Sequence, residues 1–140
     1  MASNVSPTPA PSKAWGISLW VVQVLVALGF GMAGFMKATA PLETLAANMT
    51  WVTAMPGLVR FIGVAELLGA LGMILPAATR IRPVLTPAAG LGLVIIMVLA
   101  ALFHLTRGEF SAIGANAVLG LLAGFVAWGR LRKAPLAPRK

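Results

Sequence analysis

The chain has 140 residues, of which 59% are hydrophobic and 10% are charged, and its formal net charge is +8 at pH 7. Soluble domains carry about 25% charged residues, so this composition leaves too little polar side chain to cover a globule in water. The chain has no cysteine and only one histidine, which excludes a thiolate metal site, thiol chemistry and haem held by two histidines. We therefore expect an integral membrane protein without a metal site.

The first segment of the chain differs from the rest. Residues 1–14 read MASNVSPTPAPSKA, and a stretch of Ser, Pro and Ala without apolar periodicity predicts a disordered tail. The apolar stretch that follows is about twenty residues long, whereas the apolar core of a signal peptide has roughly 7 to 15. We therefore expect this stretch to be a retained membrane span.

Four apolar stretches are long enough to cross a hydrocarbon core about 30 Å thick as helices. They cover approximately residues 17–36, 58–75, 84–105 and 110–128. The breaks between them contain helix-breaking residues, which are Pro41, Pro56, Pro76, Pro83, Pro87 and Gly108. We predict an all-α fold, an antiparallel four-helix bundle forming one domain over residues 15–130, with a basic tail over residues 131–140.

The connection between the first two spans is about twenty residues, which is long for a helical bundle. It contains a tryptophan and several apolar residues, namely Leu42, Leu45, Met49, Trp51 and Val52. This pattern favours a short interfacial helix that covers the outer mouth of the bundle as a lid.

The basic residues indicate the orientation of the bundle. Eight lie in the N-terminal tail, the second connection and the C-terminal tail: Lys13, Arg80, Arg82, Arg130, Arg132, Lys133, Arg139 and Lys140. Three lie on the opposite side: Lys37, Arg60 and Arg107. The positive-inside rule therefore predicts that both termini are cytoplasmic. The same distribution explains the positive charge without nucleic-acid binding, which needs a folded basic face.

Polar residues gather in the outer half of the predicted bundle. Glu66 stands among apolar residues in the second span, at spacing three from Gly63 and Gly69, and Asn116 precedes Gly120 at spacing four in the fourth. Such stripes of small residues allow close helix contact, so both polar side chains are expected to point into the bundle.

His104 ends the third span and Lys37 follows the first. An ionisable group inside the membrane is a functional-site hypothesis by default. We therefore predict that Lys37, Glu66, His104 and Asn116 bind a ligand, and we assign no catalytic residue.

Each of these residues also has a structural interpretation. Glu66 is either a neutral hydrogen-bond donor in a pocket, which is our preferred interpretation, or a structural acid paired with Lys37 or Arg60. His104 lies where headgroups and water are near and can be an interfacial residue. Asn116 can be an interhelical hydrogen-bonding residue that needs no ligand.

Three stretches together resemble the DoxX-like family of small four-helix membrane proteins: GFGMAGFMKATAPLE, LVRFIGVAELLGALGMILPAATRIRPVLTPAAGLGLVIIMVLAALFHLTRGEF and FVAWGR. The most specific elements are the glycine-flanked Glu66 followed by Pro76, and the third span ending with His104 and Glu109. The resemblance implies pocket roles for Lys37, Glu66 and His104. It also implies kinship with subunits of membrane thiosulfate:quinone oxidoreductases and of oxidative-stress membrane complexes, although most members have no assigned activity.

We therefore expect a multi-pass protein of a bacterial plasma membrane, surrounded by membrane lipid, that binds a hydrophobic ligand such as a quinone in an outward-opening polar pocket. It would act as a membrane subunit of a redox complex or as a homo-oligomer. The cofactor is left open, with a quinone as the candidate. A proton-coupled small-molecule exporter and a non-catalytic membrane scaffold are the alternatives.

Overall fold

The computed structural model of the chain describes residue 7 and residues 9–140. This part of the chain is all-helical, with four long helices and one short one: α1 (Lys13–Thr39), α2 (Leu42–Ala46), α3 (Pro56–Thr79), α4 (Leu85–Thr106) and α5 (Phe110–Arg132). The four long helices are long and apolar enough to cross a membrane. The predicted four-helix architecture is confirmed.

The four long helices form an up-and-down bundle in which helices adjacent in the chain pack side by side. α1 packs against α3, α3 against α4 and α4 against α5, and α5 closes the bundle on α1. The core at its centre consists of Val26, Ala27, Phe30, Ala70, Met73, Leu93, Met97, Ala123 and Val126. Large apolar side chains cover the outside, among them Phe61 at 72% and Leu121 at 75% exposure. Such a surface suits hydrocarbon and not water.

The two ends of the bundle differ in charge. We call the end where α1 and α4 finish the acidic end, because Glu43, Glu66 and Glu109 lie in this half. At the opposite end, which we call the basic end, α3 and α5 finish and α4 begins. Basic residues gather there: Arg80, Arg82, Arg130, Arg132, Lys133, Arg139 and Lys140.

The helices extend beyond the apolar stretches that predicted them. α1 begins at Lys13, after Ser12 caps it by accepting a hydrogen bond from the Trp15 amide, so the predicted tail overlaps the helix by two residues. Residues 1–6 and 8 of that tail lie outside the described residues. At the other end of the chain α5 continues to Arg132, past its predicted end, because hydropathy marks the hydrocarbon-spanning part of a helix and not its full length.

Pro76 and Pro87 were predicted to lie in breaks between spans, and both predictions are wrong. Pro87 lies in the first turn of α4, where a proline is tolerated. Pro76 is the more unusual case. It lies inside α3, which continues to Thr79. A proline removes one helical hydrogen bond, but membrane helices tolerate this where neighbouring groups and local adjustments satisfy the backbone. The helix ends instead at Thr79, and the residue that caps it, Arg80, has a left-handed φ of 58°.

The connection between α1 and α3 contains the predicted short helix, α2, followed by turns. Leu45, Trp51 and Val52 are buried there, together with Val59 at the start of α3. The segment therefore packs as a small second core over the acidic end of the bundle. It occupies the position expected of a lid.

Candidate functional site

A cavity of about 460 Å³ lies under this segment, at the acidic end of the bundle. All four side chains predicted to bind a ligand line it: Lys37, Glu66, His104 and Asn116. The remaining wall is largely apolar, with Leu58, Phe61, Ile62, Ile96, Met97 and Phe103 among its members. The fold thus brings residues from α1, α3, α4 and α5 to one apolar cavity that contains a few polar groups, which is the usual composition of a small-molecule site.

The centre of the polar group is an ion pair between α1 and α3. Lys37 Nζ donates to both carboxylate oxygens of Glu66, at 2.8 Å each. The Glu66 side chain is 2% exposed and that of Lys37 is 20% exposed. Of the two arrangements expected for Glu66, the structure contains the pair with Lys37, and this pair forms part of the cavity wall.

Small residues allow this pair to form. A Cβ atom added at Gly63 would lie 2.5 to 2.8 Å from backbone atoms of Gly34, Lys37 and Ala38. The two helix backbones are therefore in direct contact one turn before Glu66, as the small-residue stripe predicted.

Arg60 does not pair with Glu66. Its guanidinium donates to the backbone oxygens of Lys37 at 2.7 Å and Ala40 at 2.6 Å. These carbonyls belong to the end of α1, where helical partners are missing. Arg60 therefore stabilises the end of α1, and Lys37 is the cation that pairs with Glu66.

His104 is held by the turn between α4 and α5. Its Nδ1 lies 2.6 Å from Oε2 of Glu109, and Arg107 Nε donates to the other oxygen of the same carboxylate at 3.0 Å. The hydrogen bond from His104, with a smaller contribution from Arg107, lowers the pKa of Glu109 below its ordinary value. An ionised Glu109 accepts from Nδ1–H, which leaves Nε2 as the ring nitrogen free for other partners.

The same turn is tied to the segment that covers the cavity. Arg107 donates to Thr50 Oγ1 at 3.2 Å, and its guanidinium lies 5.5 Å from the ring centroid of Phe103. Phe103 in turn contacts Trp51 edge to face, with ring centroids 5.2 Å apart. The cover is therefore attached to α4 as well as to α3.

Two buried donors of the cavity have no hydrogen-bond partner among the described residues. They are Nδ2 of Asn116 and Nε1 of Trp51, and both side chains line the cavity. Buried N–H groups are rarely left unpaired, because the loss of water without a replacement costs about 1 to 3 kcal/mol. Trp51 was predicted to belong to the interfacial segment and not to the site, since no periodicity marks the depth of a residue in a turn.

A second cavity, of about 780 Å³, lies between α4 and α5 and is almost entirely apolar. Its wall includes exposed residues such as Val98 and Leu121. It shares Met97 and Asn116 with the first cavity. Asn116 therefore lies between the polar cavity and a groove on the lipid-facing surface.

The basic end contains a polar cluster that the sequence analysis did not identify. Arg130, which was predicted to mark topology only, is buried and donates from Nε to Gln23 Oε1 at 2.9 Å. Gln23 donates from Nε2 to the Met73 carbonyl. The cluster joins α5, α1 and α3. Arg130 lies two residues before the end of α5, and a basic residue at such a position is expected to be exposed.

The comparisons with known proteins give a family and no closer relative. The DoxX-like family model matches residues 21–126, a range that contains Lys37, Glu66, His104 and Asn116. The searches of curated proteins and of solved structures found no match. With four helices able to span a membrane and a family match over most of its length, the chain is an integral membrane protein that belongs to the DoxX-like family.

Proposed function

We propose that the protein binds a hydrophobic small molecule with carbonyl oxygens, such as a quinone, in the cavity at the acidic end, and that it serves as a membrane subunit of a redox complex. The observation that carries this proposal is the pair of unpartnered buried donors, Trp51 Nε1 and Asn116 Nδ2, in two side chains that line a largely apolar cavity. Both groups can only donate, so the ligand that satisfies them must bring acceptors.

The ionisable groups of the cavity suit a ligand that exchanges protons. Glu66 and His104 are both held in place, by Lys37 and Glu109 respectively, and a positioned carboxylate or imidazole is able to hold or transfer a proton. The chain has no cysteine and one histidine, so we infer that an electron carrier comes from a partner subunit.

The groove between α4 and α5 supports entry from the lipid. Its apolar wall meets the polar cavity at Met97 and Asn116, and a quinone dissolved in the bilayer would reach the donors by this route. The segment around Trp51 covers the other approach, through Thr50 and Phe103.

The proposal is tested by thermal unfolding of the purified protein in detergent with a short-chain benzoquinone. We expect the quinone to raise the unfolding midpoint of the unaltered protein, because a ligand that binds only the folded state stabilises it. Trp51→Phe and Asn116→Leu each remove one donor while retaining shape. Each should weaken quinone binding about 5-fold, which is the typical net effect of one hydrogen bond.

Two controls make the test specific. Trp15→Phe removes an indole N–H from a tryptophan that packs against Phe125 and Trp128, far from the cavity, and should leave quinone binding unchanged. An alkylbenzene of the same size has no carbonyl oxygens, and it tests whether apolar contact alone raises the unfolding midpoint as much as the quinone does. The proposal is wrong if the quinone does not stabilise the unaltered protein, or if both donor variants bind it as well as the unaltered protein does.

A further inference from the structure

A separate cavity of about 530 Å³ lies at the basic end, on the opposite side of the bundle from the proposed quinone site. Its wall combines two arginines, Arg82 and Arg130, with apolar residues from the α3–α4 connection, the first turn of α4, the end of α5 and the C-terminal segment, namely Pro83, Val84, Pro87, Leu131, Pro135, Leu136 and Pro138. The C-terminal segment is fixed beside it, because the Arg139 amide donates to the Arg80 carbonyl at 3.0 Å.

Arg130 is the unusual member of this wall. It is 4% exposed, and its Nε donates to Gln23 while its guanidinium lies 5.3 Å from the ring centroid of Trp20. Its Nη2 is buried and has no hydrogen-bond partner within the described part of the chain. A buried charge is normally paired, because a guanidinium removed from water without an anion is costly.

The chain contains no side-chain carboxylate that can neutralise Arg130. Its three acids are Glu43, Glu66 and Glu109; Glu66 and Glu109 are paired at the acidic end, and Glu43 lies in α2 beyond that end. The residues around Arg130 add further positive charge, in particular Arg82 on the same cavity and Arg132 and Lys133 at the end of α5. Because none of these side chains neutralises Arg130, we look for its counter-ion among anions that come from outside the chain.

The position of the cavity identifies the anion. Arg130 lies two residues before the end of α5, about 3 Å along the helix axis, and we expect headgroups to meet the hydrocarbon near the ends of the spanning helices. The apolar walls around Arg130 suit the glycerol ester region of a lipid, and a guanidinium is well matched to phosphate oxygens. We propose that this cavity binds the phosphate of an anionic glycerophospholipid, with Arg130 as its buried partner and Arg82 at its rim.

The test uses the full chain, delipidated in neutral detergent, and dioctanoyl phosphatidylglycerol as the probe. We expect this lipid to raise the unfolding midpoint of the unaltered protein by about 4 °C or more. Arg130→Gln should abolish the rise. Arg132→Gln removes the same charge from an exposed position two residues away and should retain it.

Other probes separate the possible sources of the anion. Dioctanoyl phosphatidylcholine has the same tails without net charge, and glycerol phosphate has the anion without tails; neither should match phosphatidylglycerol. An equal rise with glycerol phosphate would mean a free-anion site and would overturn the lipid assignment, as would an equal rise with phosphatidylcholine or a full rise in Arg130→Gln.

A further variant covers the case in which Arg130→Gln does not fold. Arg82 is exposed and makes no hydrogen bond from its side chain among the described residues, so Arg82→Gln should fold. A reduced rise in this variant supports the proposal, and an unreduced rise contradicts it. Native mass spectrometry of the same variants should show the parallel loss of the bound lipid.

Discussion

The ion pair between Lys37 and Glu66 is the central polar contact in the wall of the cavity. Both carboxylate oxygens accept from one ammonium group, inside a part of the bundle where water is scarce. Removal of one partner from such a pair leaves the other charge buried, whereas replacement of both by apolar groups is often neutral. The two mutations therefore have different expected effects.

We expect Glu66→Gln to destabilise the protein by about 3 kcal/mol, the lower end of the range for a buried pair, because Lys37 is 20% exposed and partly reaches the surface. The double change Glu66→Gln with Lys37→Met should recover most of this loss. Equilibrium unfolding in detergent measures both effects. Glu43→Gln, which removes an exposed acid from α2, should be close to neutral.

A single variant as stable as the unaltered protein would mean that Lys37 needs no counter-ion, and the pair would then have no structural role. The quinone test does not depend on this result, since it rests on Trp51 and Asn116.

At the scale of helices, the glycines make two kinds of contact, since some face the backbone of a neighbouring helix and others face a side chain. Gly63 faces the backbone of α1, whereas an added Cβ at Gly69 would meet the Leu93 side chain and one at Gly120 would lie 3.2 Å from Met97 Cβ, both on α4. Backbone is unable to move aside as a leucine does. The contact between Gly34 and Gly63 is therefore the least tolerant of these helix contacts, a difference that the spacing of the glycines alone does not predict.

We expect Gly63→Ala to cost about 1 to 3 kcal/mol by overpacking. Gly92→Ala is the matched control on α4, because a Cβ at Gly92 meets no atom within 4 Å. It should be neutral or stabilising by roughly 0.5 to 1 kcal/mol, as alanine is a better helix former than glycine. The measurement is the thermal unfolding midpoint of each variant. Equal midpoints for the two variants would mean that α1 and α3 are not in direct contact at Gly63.

The helices and their number could be predicted because hydropathy and length depend only on local sequence. The partners of polar side chains could not, because they depend on how helices are rotated against each other. Lys37 and Arg60 are at the same depth, and only the packed bundle distinguishes the cation that pairs with Glu66 from the one that caps α1. Arg130 was missed for a similar reason, since burial at a helix end requires the neighbouring helix to be known.

At the scale of the whole molecule, charge is separated along the bundle. The three acids lie in one half, and most basic residues lie at the other end. This separation predicts the orientation of the bundle in a membrane, because loops rich in Lys and Arg remain in the cytoplasm. The two proposed sites lie at opposite ends of the bundle, and the positive-inside rule predicts that the lipid phosphate site is on the cytoplasmic side.

We predict that a reporter fused after Lys140 is active in the cytoplasm and that one inserted after Asn48 reports the opposite side of the membrane. Asn48 is exposed in the segment between α1 and α3, so an insertion there is expected to be tolerated. A phosphatase and a fluorescent protein as paired reporters give opposite signals at each position. The reverse pattern would place the acidic end in the cytoplasm and contradict the orientation.

The hydrogen bond between Gln23 and Arg130 also has a consequence for the order in which the bundle assembles during synthesis. It joins residues 107 positions apart, so it forms only after the ribosome has made almost the whole chain. Until then Gln23 Oε1 lacks the hydrogen bond from Arg130. In contrast, α1 and α3 can already pair through Lys37 and Glu66. The arrival of α5 therefore completes the assembly, and a nascent chain arrested before Arg130 would have one polar group of its first helix still unmatched in the bilayer.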